Sequence, residues 1–475
     1  MAPMSSATYS LPVSFLEKLQ ESFPPRFASR DPGDLETFGK DWTKAYAPAP
    51  SLIAFPQTTD EVSRLLKLCS EHGVPVVPSG GRTGLSGGAV AARGEVVLSL
   101  TKMSQMGEVD SLAQTLRVQA GAVTEAVHGH CAPHGLTWPV DFASKGSSHV
   151  GGNISTNAGG VKVIRYGLTR NWVLGLQVVT ASGTILELNG SLEKNQTGLD
   201  LRQLFIGSEG TLGVVTEATL KLTKLPGDCE VFFFALEGLR EVLDLFRDAR
   251  SQSFMLNAFE LVGDNCLASV VEHRKIPPPF ATRAPYYVLM EIERPEAEDA
   301  RARLESWLAT LFENSKVLDG VLAQSPANAR DLWSLREGVA EAIMAKATMH
   351  KHDVSVPIAA LQPFTEAFQR KLQESYGAFE VYVFGHIGDG NLHINIAKPD
   401  SVSREEFYAQ CKEIDLKLFE LVQQHRGSIS AEHGIGLLKK YALGFSRTPE
   451  EIALLKAVKQ TLDPQGILNP GKIFD

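Results

Sequence analysis

The chain has 475 residues and a formal net charge of -9, with 43% hydrophobic, 8% aromatic and 21% charged residues. That length exceeds one ordinary core and predicts a multidomain globular protein, and the composition excludes disordered and fibrous classes. The acidic balance, with no Lys/Arg-rich block, speaks against nucleic acid as a partner. Cys69, Cys131, Cys229, Cys266 and Cys411 are odd in number and never spaced as Cys-x-x-Cys, which argues against a disulfide framework, a cysteine-based zinc site or an iron–sulfur cluster.

Residues 1–50 are expected to form an N-terminal helical segment. From Met1 to Gln20 there is no basic start, no sustained apolar run and no arginine, so neither a secretory signal nor a presequence is visible and a cytoplasmic location is expected. No apolar stretch approaches the ~18–20 residues that cross a bilayer. From Ser51 to about Leu225, short apolar runs alternate with glycine-rich turns: VPVVPSGGRTGLSGG, EVVLSL, LRVQAG, VLGLQVVTASGTILEL and GTLGVVTEATLKL. These predict strands, interrupted by a helix over Thr59 to His72 that begins with Thr/Asp capping chemistry and stops before Gly73.

A boundary is expected near Pro226–Gly227. Over residues 226–403 strands such as EVFFFALEG, YYVLMEIE and EVYVFGHIG alternate with helices around Leu239–Ser251, Glu296–Phe312 and Ile358–Tyr376, a pattern for a second α+β unit with a largely antiparallel sheet. Residues 404–475 read as helical, with apolar helix-period faces over Phe407–Gln424 and Pro449–Leu462. The closing DPQGILNPGKIF is too rich in Pro and Gly to be regular, and the helical segment is expected to close on the first domain.

Three segments concentrate glycine with small polar residues: Pro78–Gly88, Lys145–Gly160 and Gly207–Gly213. Glycine lets a backbone approach a ligand and offer successive N–H groups to an anion such as a pyrophosphate. A Rossmann fingerprint fails on order and Walker A lacks its Gly-Lys-Ser/Thr. The segments PSGGRTGLSGG, GGNISTNAGG and GSEGTLGVVTEATLKL, in this order, resemble the FAD domain of the vanillyl-alcohol oxidase/p-cresol methylhydroxylase superfamily. That resemblance implies FAD. By analogy Pro78, Gly80, Gly81, Arg82, Thr83, Gly84, Gly87 and Gly88 hold the pyrophosphate. Ser148, Gly152, Asn153, Thr156, Asn157 and Gly159 serve the isoalloxazine and ribityl side, and Glu209, Gly210, Gly213 and Val214 the adenosine side, with Asn469 of the tail added. Covalent members often carry histidine where this chain has Arg82, so non-covalent FAD is expected.

In VYVFGHIGDGNLHINI, Val381–Ile396, two strand-like runs flank the turn signal Gly388-Asp389-Gly390-Asn391, a hairpin pattern that can bring His386 and His393 to one face with Asn395 beside them. The loop Ser428–Gly436 adds Glu432 next to His433. Two imidazoles and one carboxylate form a common set for Zn, Fe or Mn with positions open for substrate. GHIGDGNLHIN, GSISAEHGIG and the ending ILNPGK resemble the branch that contains D-2-hydroxyglutarate dehydrogenase, D-lactate dehydrogenase and the FAD subunit of glycolate oxidase. Carried over by position, this implies His386, His393 and Glu432 as metal ligands, zinc being the first choice, Asn395 as a substrate contact and His433 as catalytic base and substrate contact. Arg336 and Lys351 match residues that grip a distal carboxylate. Ala340 departs from the pattern, since a threonine stands there in the hydroxyglutarate enzymes.

The resemblance implies an FAD- and metal-dependent dehydrogenase of D-2-hydroxyglutarate, extending to D-malate, with an electron-transfer flavoprotein or quinone as acceptor and a homodimer as a candidate assembly. The alternatives are a D-lactate or glycolate dehydrogenase FAD subunit with an iron–sulfur partner, and a flavin-binding subunit without chemistry. Retention of His386, His393, Glu432 and His433 together speaks against the last.

Overall fold

The computed structural model describes residues 8–474, apart from 44, 282, 296, 315, 377 and 378. Glu296, the expected start of one helix, lies outside the described residues. The chain forms two compact units, one of residues 1–160, 167–225 and 432–475, the other of 161–166 and 226–431.

Among the described residues the first unit contains two larger sheets and a two-stranded pair, Leu136–Thr137 with Thr223–Lys224. In one, Leu52–Ala54, Val96–Ser99 and Val76–Ser79 pair in parallel, with Ala28–Ser29 antiparallel at the edge. The runs VVPS and VVLS are apolar on both faces, as a strand covered on both sides requires. The second sheet is antiparallel, in the order Met106–Asp110, Thr115–Gln119, Val214–Lys221, Val173–Val179, Ile185–Leu188. The helix Thr59–His72 has the expected bounds. Thr58 caps it by accepting from the Glu61 N–H, Gly73 ends it at φ +62°, and Val62, Leu65, Leu66 and Cys69 are buried. The glycine-rich segment after Lys145 holds an unexpected helix, Val150–Thr156, in which a Cβ on Gly151 would lie 2.6 Å from the Cβ of Ala120. Close packing decides that helix against its propensity. The tail is irregular, and Ile467 and Leu468 are buried in the core.

Among the described residues the second unit is built on seven strands, β1 (Cys229–Leu236), β2 (Leu256–Gly263), β3 (Tyr286–Glu293), β4 (Asp319–Leu322), β5 (Met349–Ser355), β6 (Val381–Gly385) and β7 (Asn391–Ala397). Their order is β4-β1-β3-β2-β6-β7-β5 and every pairing is antiparallel. Its longer helices are α1 (Leu239–Arg250), α2 (Asp264–Arg274), α3 (Glu298–Glu313), α4 (Pro326–Glu337), α5 (Val339–Lys346), α6 (Leu361–Tyr376) and α7 (Arg404–Gln424). β2 and α2 were not among the expected elements. Side chains alternate along each strand, so one face carries Val262, Phe384, Tyr382 and Met349 against Leu332, Leu335, Ala342 and Ile343 of α4 and α5. The other face carries Ile396 against Phe407 and Cys411 of α7.

One domain expectation needs correction: α7 belongs to the second unit, and only residues 432–475 of the C-terminal segment join the first. Its apolar side serves the sheet of the second unit, which the periodicity of one helix cannot reveal. None of the five cysteines, all among the described residues, is in a disulfide.

Candidate active site

In the first unit the three glycine-rich segments meet. A Cβ on Gly81 would lie 2.1 Å from the Ser147 carbonyl oxygen, so only glycine fits, and Gly210, at φ +71°, packs on Pro78. The Gly207 N–H donates to Ile154 at 3.0 Å and the Glu209 N–H to Ser155 at 2.8 Å. Asn469 Nδ2 donates to the carbonyls of Gly88, at 2.9 Å, and Glu209, at 2.7 Å. Arg82, Asn157, Glu209 and Asn469 all hold positive φ between 45° and 58°. Strain of this kind in non-glycine residues collects where surrounding structure enforces a backbone for function.

Several predicted cofactor residues use their side chains internally. Ser148 Oγ and Asn153 Nδ2 each meet Thr124 Oγ1 at 2.7 Å. Thr156 bonds the Gly152 carbonyl at 3.0 Å, and Asn157 accepts from the Arg170 N–H at 3.0 Å. A Cβ on Gly213 would strike Val178 and Phe205, and Val214 is core. Arg82 lays its guanidinium over Phe38, 4.6 Å from the ring centre. Thr83 and Gly87 are half-buried and buried, Gly84 is exposed, and Gly159 is half-buried.

Three buried polar atoms beside these loops have no hydrogen-bond partner among the described residues: Ser79 Oγ, His149 Nδ1 and Asn469 Oδ1. A Cβ on Gly80 would lie 3.7 Å from that His149 nitrogen and 3.8 Å from the Gly152 N. Buried polar groups are nearly always satisfied, so such orphans fit a polar ligand like FAD at this cradle. Burial, and then the nearby Arg82, push the His149 imidazole down to about 4, which keeps it neutral. Ser79 and His149 lie inside the segments Pro78–Gly88 and Lys145–Gly160 but were not singled out from the sequence as site residues.

The loop Glu432–Gly436 belongs to this unit. Glu209 is buried and accepts from the N–H of Ile435 at 2.7 Å and of Gly436 at 2.8 Å; burial raises its pKa, opposed by these bonds. Gly434, at φ +76°, leaves no room for a Cβ against Glu209, and Gly436 none against Ser86. The loop carrying Glu432 and His433 is thus fastened to a residue of the cradle.

In the second unit the expected hairpin forms from β6 and β7, with Phe384 opposite His393 and Tyr382 opposite Asn395. His386 and His393 come together, their rings 5.3 Å apart and nearly perpendicular. Behind His386 stands Glu260 of β2, 1% exposed, with both carboxylate oxygens within 2.9 Å of Nδ1. A proton on Nδ1 donated to that carboxylate leaves Nε2 as the ring nitrogen that bears a lone pair. Glu260 Oε2 also lies 2.8 Å from Nη2 of buried Arg336, whose guanidinium covers Phe384 at 5.2 Å. That approach lacks hydrogen-bond direction, and among the described residues neither Nη2 nor Nε of Arg336 has a hydrogen-bond acceptor.

Lys351 pairs with Asn395 across β5 and β7, so the two share a face with His393. Lys351 is exposed and its Nζ contacts Met344 Sδ at 2.9 Å; partial desolvation lowers its pKa. Asn395 is buried, and Ala340 is exposed on α5. Asp353, 2% exposed, accepts from Asn391 Nδ2 at 2.9 Å and lies 3.7 Å from His393 Nδ1. The segment Ser428–Ala431 runs along β5 through Ser355–Ser428 and Ala431–Asp353 backbone bonds, and Glu432 follows in the chain. Glu260 and Asp353 were also missed; the sequence signal for each is one acid inside an apolar run, AFELVG and HDVSV.

Residues 50–189 match the model for an FAD binding domain, and residues 225–473 the model for the C-terminal domain of FAD linked oxidases. The chain is 49% identical over 458 residues to a D-2-hydroxyglutarate dehydrogenase of Xanthomonas citri pv. viticola, covering 96% of each. It is 46% identical over 467 residues to a D-2-hydroxyglutarate dehydrogenase of Stutzerimonas stutzeri, covering 97% of this chain and 99% of that one. The structure of p-cresol methylhydroxylase with substrate bound has the same fold, with a TM-score of 0.77 at 15% identity over 97% of this chain and 96% of that one.

Proposed function

The chain belongs to the FAD-linked oxidases, in the family that contains the D-2-hydroxyglutarate dehydrogenases, and on that premise we propose that it oxidises D-2-hydroxyglutarate to the 2-oxo acid with non-covalently held FAD. The observation that carries this reading is the buried line Arg336–Glu260–His386 beside His393. It joins a cation with unused donors to an imidazole oriented as metal-binding histidines are.

When bound, FAD would supply the hydride acceptor for the α-hydrogen, and a divalent metal, with zinc the first choice, would supply Lewis-acid stabilisation of the ionised substrate hydroxyl. His386, His393 and Glu432 would hold that metal; support comes from the His386–Glu260 bond and from the fixed segment Ser428–Ala431 that delivers Glu432. His433 takes the hydroxyl proton on an imidazole nitrogen, a role supported by the anchoring of its loop to Glu209. Arg336 offers Nε and Nη2 to the distal carboxylate, with Lys351 and Asn395 beside it on the sheet face. Electrons leave for an electron-transfer flavoprotein or a quinone, and the compartment is the cytoplasm.

A second reading, a wider pocket that also takes D-malate or D-lactate, is favoured by Ala340, which offers no hydroxyl to a carboxylate. Arg336→Ala separates the two. Removing a charge-assisted contact costs about 1.5–3 kcal/mol, so kcat/KM for D-2-hydroxyglutarate should fall roughly ten- to a hundredfold while D-lactate is far less affected. Equal losses for both acids would make Arg336 a support for Glu260 alone.

A further inference from the structure

We infer that His350, His352 and Asp415 form a second divalent-metal site, on the face of the sheet opposite His386 and His393, which fastens α7 to β5. His350 and His352 are two residues apart on β5, so they point to the same side, away from Lys351 and Asp353. Asp415, 4% exposed, comes from α7 and places Oδ1 2.7 Å from His350 Nε2 and 3.1 Å from His352 Nε2. The two rings stand 4.8 Å apart at 85°, and one donor atom from each of the three residues falls within 4.8 Å of the others.

The separations suit a metal. With ligand bonds of about 2.0–2.2 Å, tetrahedral donors lie roughly 3.3 Å apart, and Asp415 Oδ1 stands 2.7 and 3.1 Å from the two imidazole nitrogens. Two imidazoles and one carboxylate, with no thiolate, select zinc, nickel or copper over calcium or magnesium.

The alternative is a metal-free clasp in which both imidazoles donate to Asp415. That clasp meets the same carboxylate but binds no cation, and stoichiometry separates the two. The FAD-loaded chain is stripped with a chelator, then titrated with Zn²⁺ or Co²⁺ and read by elemental analysis and by the Co²⁺ absorption bands. The expected result is two equivalents per chain, falling to one in His352→Asn and in the near-isosteric Asp415→Asn, with anaerobic flavin reduction kept within about twofold. A wild-type chain that holds no metal, or His352→Asn and Asp415→Asn variants that hold as many equivalents as the wild type, would overturn the site. A second arm guards against misfolding. In His386→Ala, added Zn²⁺ should still raise the thermal midpoint by several degrees and should lose that effect in His386→Ala/His352→Asn; no rise in the single variant sinks the proposal. Because this arm lacks the His386 ligand, its outcome is independent of the metal proposed for the active site.

Discussion

Glu260 carries two neighbours at once, and this makes it the most consequential side chain that the sequence hides. Its carboxylate is buried between the His386 imidazole and the Arg336 guanidinium. Replacing it by glutamine keeps a hydrogen bond to His386 but leaves Arg336 as an uncompensated buried cation, a change that costs about 3–5 kcal/mol. Loss of an outer carboxylate typically weakens a histidine-bound metal by about 10–100-fold. Denaturant unfolding and a metal titration on Glu260→Gln should show both losses; a stability loss with unchanged metal affinity would confine Glu260 to packing. His149 supplies a pH test. Its pKa falls from 6.5 unfolded to about 4 folded, so the native state resists the proton that the unfolded chain accepts. Unfolding free energy of the flavin-free protein should therefore decline as pH drops from 6.5 towards 4, and His149→Asn should flatten that decline. The approach of His386 to His393 was legible because the hairpin pattern marks it, whereas Glu432 and Arg336 took their roles from the family resemblance. Glu260 and Asp353 were not legible, because a lone acid in an apolar strand acquires its meaning from the strand register, and register is not written in one sequence.

At the scale of elements, legibility followed local chemistry. Thr59–His72 was readable to the residue since Thr58 and Gly73 supply a cap and a stop, and Val76–Ser79 and Val214–Lys221 were readable from β-branched runs. The helix Val150–Thr156 was not, because two glycines and three β-branched residues argue against helix locally while the fit on Ala120 argues for it. The tertiary fit wins. The hairpin of β6 and β7 depends on one turn residue, Gly390, at φ +87° and with a Cβ position only 2.2 Å from the Val356 carbonyl oxygen. Gly390→Ala must shift backbone, and a loss of about 2 kcal/mol or more is expected. Because Gly390 lies in the second unit and the cradle in the first, metal content should fall while FAD stays bound; flavin release at wild-type metal content would contradict that separation.

For the whole molecule, the division into two units assigns the FAD cradle to the first and the histidine pair with Arg336 to the second. The α+β class and the antiparallel second sheet could be read in advance from alternation of strands and helices. The allegiance of α7 could not, because which sheet a helix covers is a property of the fold and not of the helix. No helix among the described residues is long and apolar enough to cross a membrane. The most direct measurement is anaerobic mixing of the FAD-loaded chain with D-2-hydroxyglutarate, following flavin absorbance and product together. The expected result is bleaching of the flavin with one 2-oxoglutarate formed per flavin, faster than with D-lactate, and lost on chelation while the flavin stays bound. A flavin that stays oxidised, or that bleaches equally well in metal-free protein, would contradict the proposed chemistry.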